Sequence, residues 1–231
     1  MSREIRVFDS GTELVETLAT ACQRWVDEAV ATRGAAHLVL AGGRTPVALY
    51  RELQSRELPW ASLEIYFGDE RCVPADDPES NYRAARDALL AHVRVPTGQV
   101  HRMHGEEREQ GAAAYGHGLP EHFDITFLGM GEDGHTASLF PGSRALESDE
   151  RVMFIDDSPK PPPERITLGL AALSASRRVV FIVTGANKAD ALAGTVETGS
   201  RLPASRVNPI DGTVSFFVDR EAAANLPRRE S

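Results

Sequence analysis

Short apolar runs alternate along the chain with longer segments in which apolar residues recur at helical spacing. Four of these runs, at residues 37–41, 63–67, 125–128 and 179–183, are apolar enough for strands that are buried on both faces. Each run ends in a polar loop that contains glycine, and helical segments separate one run from the next. This alternation predicts an α/β fold, in which an open, mostly parallel sheet carries helices on both faces.

Local signals place the remaining elements. Thr45 is the predicted N-cap of a helix whose first residue is Pro46, and Ser80 is the predicted N-cap of a helix over 81–90. Shorter strands are predicted at 5–8, near Val100, and at 152–155, 165–168 and 213–218. No repeat, low-complexity segment or linker interrupts the pattern, so we expect residues 1–231 to form a single α/β domain with a frayed polar tail after Asn225.

The composition narrows the possible partners. Of the 231 residues, 42% are hydrophobic and 26% are charged, and the formal net charge is −9. That charge disfavours nucleic acid and anionic membrane surfaces as partners. Cys22 and Cys72 lack a CxxC partner, and the first ten residues lack a signal-peptide core. We therefore expect a cytoplasmic protein without a disulfide or a metal.

The loop after the third of the four runs concentrates groups that can do chemistry. Gly129 and Gly131 end the run, and Asp133, Gly134 and His135 follow at once. Glycine allows a close approach of backbone and ligand. An imidazole titrates near neutral pH, so His135 can take or give a proton, and Asp133 is near enough in sequence to hold it.

This loop has two other interpretations. GMGEDG matches the G-x-G-x-x-G pattern of dinucleotide-binding sites, but it lies in the middle of the chain. Pro141 and Gly142 also follow too soon for the long helix that a pyrophosphate site needs. A tight turn with a structural histidine is the second alternative.

A candidate phosphate site follows the first run. Gly42, Gly43, Arg44 and Thr45 lie where a strand ends and a helix begins, so free N–H groups and the positive end of the helix dipole converge there. An ordinary turn between a strand and a helix would carry similar residues, and this alternative stays open.

The other two loops carry charge. Asp69, Glu70 and Arg71 follow the second run. Charged groups at the end of a buried strand are costly to desolvate unless they form ion pairs or bind a ligand. The alternative to a ligand site is a structural ion pair of Arg71 with Asp69 or Glu70. Lys188 follows the fourth run and, with Lys160, is one of two lysines in a chain with 23 arginines. All four loops should meet at one edge of a parallel sheet, where such folds bind ligands.

Taken together, these motifs resemble those of the 6-phosphogluconolactonases, within the larger group of sugar-phosphate isomerases and deaminases. The resemblance runs from about Leu38 to Lys188 and rests on the segments GGRTP, FGDERCVPADDPESNYR, GMGEDGHTASLFPGS, SPKPPPERITL and TGANK. It implies a Rossmann-like sheet of the sugar-phosphate isomerase type, and the hydrolysis of 6-phospho-D-glucono-1,5-lactone in the pentose phosphate pathway.

The resemblance also assigns roles to the candidate residues. His135 would act as general base on a water molecule, and Asp133 would orient the imidazole. Asp69 would fix Arg71 or a sugar hydroxyl. The residues expected to hold the phosphosugar lactone, mainly through its phosphate, are Gly42, Gly43, Arg44, Thr45, Arg71 and Lys188. No metal, cofactor or macromolecular partner is implied, and a monomer is favoured.

Two rival functions remain. Glucosamine-6-phosphate deaminases carry an aromatic residue where Arg71 stands and an Asn-Glu-Pro run in place of SLFPG, so this sequence departs from their pattern twice. A non-catalytic phosphosugar-sensing module would need an output segment, for which the chain has neither a basic helix nor spare length.

Overall fold

The fold is known from a computed structural model that describes residues 3–227. Within these residues the strands are β1 (Arg3–Phe8), β2 (Ala36–Leu40), β3 (Leu63–Phe67), β4 (Asp69–Arg71), β5 (Phe123–Leu128), β6 (Val152–Ile155), β7 (Arg165–Leu168), β8 (Ser176–Val183) and β9 (Thr213–Asp219). The helices are α1 (Gly11–Arg33), α2 (Arg44–Leu53), α3 (Asn81–Ala85), α4 (Arg108–His117), α5 (Leu170–Ser174), α6 (Ala189–Val196) and α7 (Pro203–Arg206).

Six parallel strands form the main sheet, in the order β1-β9-β8-β5-β2-β3. From β1 through β2 to β3 the chain moves toward one edge, and from β5 through β8 to β9 it moves toward the other. Because crossovers between parallel strands are almost always right-handed, this reversal places helices on both faces of the sheet. The predicted α/β class is thereby confirmed.

The reversal falls between β2 and β5, which are neighbours in the sheet. The loops that follow these two strands leave toward opposite faces and open a crevice at the carboxyl edge, where folds of this kind bind their ligands. The loop after β2 contains Gly42 and Gly43, and the loop after β5 contains Asp133 and His135. The topology therefore brings the two most informative sequence motifs side by side.

The middle of the sheet is apolar on both faces. Every residue of β5 is buried, and Phe127 and Phe181 of neighbouring strands are fully enclosed. Phe181 also stacks on Phe216 of β9, with ring centroids 4.8 Å apart. Burying a side chain of this size stabilises the fold by about 1.5–3 kcal/mol, so the loops at the carboxyl edge rest on a rigid base.

A second, antiparallel sheet of β4, β7 and β6 lies beside the main one and was not predicted. Asp69, Glu70 and Arg71 form β4 instead of a loop, and their backbone pairs with β7. Three charged residues in succession gave no sign of a strand, because the pairing partner lies almost a hundred residues away in the chain. As in any strand, alternate side chains of β4 therefore point to opposite faces of this sheet.

Three local predictions were wrong in detail. Helix α2 begins at Arg44 with Gly43 as its N-cap, and Thr45 does not cap it. The predicted helix over 81–90 is α-helical only through Ala85 and continues as a π-helical turn. Val100 makes a single bridge to Ile65 and forms no strand.

Two predictions concern segments that the structure describes only in part. The predicted single domain and polar tail include residues 1–2 and 228–231, which lie outside the described residues. Among residues 3–227, no helix is both long and apolar enough to cross a membrane.

Candidate active site

A cavity of about 810 Å³ lies at the carboxyl edge of the main sheet, between the loops that follow β2, β5 and β8 and beside β4. It is lined by eight of the nine residues proposed from the sequence: Gly42, Gly43, Arg44, Thr45, Asp69, Arg71, His135 and Lys188. The ninth, Asp133, contacts His135 directly. Three of the four predicted loops therefore meet at one place, together with β4, which was predicted as the fourth.

The loop after β5 folds back tightly on itself. The Gly131 N–H donates to the carbonyl of His135 (2.8 Å), and the Gly134 N–H donates to that of Gly131 (3.1 Å). A Cβ at residue 131 would lie 1.9 Å from His135 Nδ1, and Gly134 has a φ of +77°. Both glycines are required because this backbone leaves no room for a side chain at one position and disfavours one at the other.

Asp133 holds the imidazole of His135. Asp133 Oδ1 lies 2.5 Å from His135 Nδ1 and also accepts from the His135 backbone N–H at 3.1 Å. A carboxylate at this distance favours the tautomer with the proton on Nδ1, so Nε2 keeps its lone pair. The ring of Phe140 packs 4.4 Å from the imidazole, centroid to centroid, and restrains it from the other side. The pair has the geometry of a general base with its orienting carboxylate.

The protonation states agree with that role. Burial lowers the pKa of His135 below its ordinary value of 6.5, although the hydrogen bond and charge of Asp133 oppose the shift. Burial tends to raise the pKa of Asp133, but the hydrogen bonds from His135 outweigh it and lower the pKa. At neutral pH the pair is therefore a neutral imidazole beside an ionised carboxylate.

We expect the pH dependence of catalysis to follow from this pair. If neutral His135 is the base, kcat/KM should rise with pH through a midpoint below 6.5, because burial lowers its pKa. In Asp133→Asn, which loses the carboxylate that raises the pKa of His135, the midpoint should move lower still and kcat should fall. A pH–rate profile corrected for spontaneous hydrolysis measures both. A midpoint above 6.5 in the unmodified protein would contradict the assignment.

The N-terminus of α2 also lines the cavity. Gly43 precedes the helix with a φ of +99°, and Gly42 lies so close to Asn81 that an added Cβ would be 2.0 Å from its Oδ1. The Thr45 hydroxyl lies 2.8 Å from that of Thr184 in the loop after β8. A ten-residue helix presents free N–H groups and a partial positive charge at this end, which suits a phosphate group.

Arg71 lines the cavity from β4. One terminal nitrogen donates to the Glu79 carbonyl, while Nε is buried and has no hydrogen-bond partner among residues 3–227. The side-chain ion pair considered from the sequence does not form within these residues. Glu70 points away and accepts from the Ser80 hydroxyl (2.9 Å) and the Asn81 N–H (2.7 Å), which makes it structural. The Arg71 guanidinium is not neutralised by a carboxylate of its own strand.

Asp69 takes a different partner from the one predicted. Its carboxylate accepts from Ser138 Oγ at 2.6 Å and from Asn81 Nδ2 at 3.0 Å, and it lies 4.0 Å from a nitrogen of Arg165. Of the two predicted roles, fixing Arg71 is therefore wrong, while a contact to a sugar hydroxyl stays a prediction.

Lys188 adds a cation next to α2. It lies in the short 3-10 turn before α6, and its Nζ is 3.9 Å from Glu132 Oε1. Burial lowers the pKa of Lys188, and the charge of Glu132 opposes that shift. Its ammonium thus lines the same cavity as Gly43 and Arg44.

Sequence analysis missed three residues of the site. Arg165 and Lys160 line the cavity, and Asn81 links Asp69 to the loop after β2. Arg165 is only 5% exposed although it is an arginine. The available signal was a cation at the first position of an apolar strand, but its contacts depend on tertiary structure.

Comparison with known proteins identifies the family. Residues 9–216 match the family model described as glucosamine-6-phosphate isomerases/6-phosphogluconolactonase. The chain belongs to this family.

Similar proteins include one relative found by sequence and two solved structures. A 6-phosphogluconolactonase of Mycobacterium tuberculosis is 41% identical over 98% of this chain and 100% of its own. The structure of 6-phosphogluconolactonase from Thermotoga maritima is 31% identical with a TM-score of 0.87, and covers 94% of this chain and all of that one. The Trypanosoma brucei enzyme of the same name is 30% identical with a TM-score of 0.87, over 98% of this chain and 99% of that one.

Proposed function

We propose that this protein hydrolyses 6-phospho-D-glucono-1,5-lactone to 6-phospho-D-gluconate, a step of the pentose phosphate pathway. The observation that carries the proposal is the placement of the Asp133–His135 pair in the same cavity as the N-terminus of α2 and the side chains of Arg71 and Lys188. A base and a cluster of anion-binding groups in one cavity fit a lactone that carries a phosphate. Relatives of the same name over the full length support the reaction.

The chemistry needs only a base that can return its proton. His135 Nε2 takes a proton from water as the water oxygen bonds to C1, and the carbonyl electrons move onto the carbonyl oxygen. When the carbonyl re-forms, the bond from C1 to the ring oxygen breaks, and the imidazolium gives the proton to that oxygen. Asp133 stabilises the charged imidazole between the two steps, because an adjacent carboxylate favours the protonated form.

The phosphate end is held by groups that do not touch C1. The N–H groups of Gly42, Gly43, Arg44 and Thr45 and the ammonium of Lys188 form one side of the proposed phosphate site, and Arg71 forms the other. A protein with a net charge of −9 needs such local positive charge to hold a dianion. Asp69 is left to accept a hydrogen bond from a hydroxyl of the sugar.

The direct test is a hydrolysis assay on freshly generated 6-phosphogluconolactone, corrected for spontaneous ring opening. We expect enzyme-dependent formation of 6-phosphogluconate, and no ammonia from glucosamine 6-phosphate in a parallel assay. Ammonia release without lactone hydrolysis would assign the site to a deaminase. Tight binding of a phosphosugar without turnover of either would indicate a sensing module.

Activity should survive exhaustive chelation. Residues 3–227 contain no group of three or more His, Cys, Asp or Glu side chains placed to hold a metal ion. A lactone carbonyl is already electrophilic, so the proposed mechanism does not call on a Lewis acid. We expect the same kcat/KM before and after dialysis against EDTA; a loss that a divalent metal restores would overturn this part of the mechanism.

Further features of the proposal concern setting and assembly. We propose one catalytic domain over residues 1–231 that acts as a monomer in the cytoplasm, with neither nucleic acid nor a membrane as partner. The net charge of −9 supports the exclusion of polyanionic partners. Sedimentation at several protein concentrations would test the monomer.

A further inference from the structure

The segment from Ser158 to Pro163 forms a stiff loop at the mouth of the cavity, between β6 and β7. Ser158 Oγ donates to the carbonyl of Lys160 at 2.9 Å, and the Ser158 N–H donates to that of Pro163 at 3.1 Å. The loop contains four prolines, whose φ angles are fixed and which have no N–H to donate. The single lysine of this loop is therefore carried on a restrained backbone.

The Arg165 guanidinium binds the backbone carbonyls of the same loop. Its Nε donates to the carbonyl of Pro162 at 3.0 Å, and one terminal nitrogen donates to those of Pro161 (3.0 Å) and Lys160 (3.1 Å). Arg165 is 5% exposed, so these bonds form where water competes little. The guanidinium thus fixes the backbone directly after the Lys160 Cα, from the carbonyl of Lys160 to that of Pro162. Its other terminal nitrogen lies 4.0 Å from Asp69.

Lys160 lines the same cavity as His135. Both lysines of the chain do so, Lys160 from the proline loop and Lys188 from the turn before α6. The other 23 Lys and Arg residues of the chain are all arginines. Burial is the main cause that lowers the pKa of His135, and the positive charge of Lys160 adds to it. The two lysines are thus placed on different elements, and the charge of one reaches the proposed base.

We propose that Lys160 is a further catalytic residue, whose ammonium donates a hydrogen bond to the oxygen of the lactone carbonyl as that oxygen becomes negative, and that Arg165 is a positioning residue that acts through Lys160. This inference rests on the proposed lactone hydrolysis. Lys160 keeps its proton throughout: the water proton still goes to His135 and then to the ring oxygen. A flexible ammonium with three N–H donors can follow an oxygen that moves out of the plane of C1.

The test compares Lys160→Ala with the unmodified protein on 6-phosphogluconolactone and on unphosphorylated glucono-1,5-lactone. We expect kcat on the first substrate to fall about tenfold or more. This loss is smaller than that usual for a buried oxyanion donor, because Lys160 is exposed. The same factor should be lost on the second substrate, because the contact is to the carbonyl. Arg144→Ala removes a nearby exposed cation that does not line the cavity and should change neither.

The link to Arg165 is tested by a double-mutant cycle. If Arg165→Lys acts by releasing the proline loop, Lys160→Ala combined with Arg165→Lys should lose no more kcat than Lys160→Ala alone. Unchanged kcat in Lys160→Ala, or a loss seen only on the phosphorylated substrate, would overturn the inference while the unmodified protein remains a lactonase. A lack of lactone hydrolysis in the unmodified protein would overturn the proposed function and this inference with it.

Discussion

His135→Ala should lower kcat for 6-phosphogluconolactone by about 100-fold or more, the usual contribution of a general base. The imidazole is held on Nδ1 by Asp133, so Nε2 is the nitrogen left to take a proton from water. KM should change little, because the phosphate is assigned to other groups than His135. Steady-state kinetics, corrected for spontaneous ring opening, measure both quantities.

The matched control is His122→Ala, which removes an imidazole that is exposed in the turn before β5. It should leave kcat and KM unchanged. The thermal unfolding midpoint of His135→Ala should stay near that of the unmodified protein, because the side-chain hydrogen bond of His135 is to Asp133 of its own loop. A correctly folded His135→Ala protein with unchanged kcat would remove His135 from the mechanism.

Arg71→Ala should raise KM strongly and lower kcat to a smaller degree. Its guanidinium lines the cavity, and no carboxylate of β4 neutralises it within residues 3–227. The phosphate lies far from C1 on the substrate. Part of its binding energy therefore stabilises the bound substrate and the transition state equally, and part positions C1 for reaction. Arg71→Lys should rescue binding only in part, because one ammonium cannot reproduce a bidentate contact.

The decisive comparison for Arg71 uses unphosphorylated glucono-1,5-lactone. The unmodified protein should hydrolyse this substrate poorly, and Arg71→Ala should hydrolyse it at the same rate. The control is Arg94→Ala, which removes an exposed arginine. This variant should match the unmodified protein on both substrates. If Arg71→Ala costs the same factor on both substrates, then Arg71 acts at the reacting centre or in folding, and its assignment to the phosphate is wrong.

The parts of this account that were predictable from sequence depend on local pattern. The runs that became β2, β3, β5 and β8 are apolar on both faces, and only a sheet covered on two sides requires that. The loop of Asp133 and His135 was found for a similar reason, since its groups lie within a few residues of one another. Once the strands are parallel, their loops must share an edge.

The parts that were not predictable depend on contacts between distant segments. Asp69 pairs in β4 with Thr167 of β7, and its carboxylate is bound by Ser138 and Asn81. No local pattern links these positions, so the predicted partners of Asp69 were Arg71, two residues away in the sequence, or a sugar hydroxyl. Arg165 was likewise taken only as part of a strand, because its contacts to the proline loop depend on the bend of that loop.

The central claim is that the cavity holds a sugar phosphate with its phosphate at α2 and its lactone carbon at His135. A crystal structure with the product, 6-phosphogluconate, tests this most directly. We expect the phosphate within hydrogen-bond distance of the N–H groups of Gly43 or Arg44 and of Lys188 Nζ, and the C1 carboxylate beside His135 Nε2. A product bound in the reverse direction, or outside this cavity, would contradict the account.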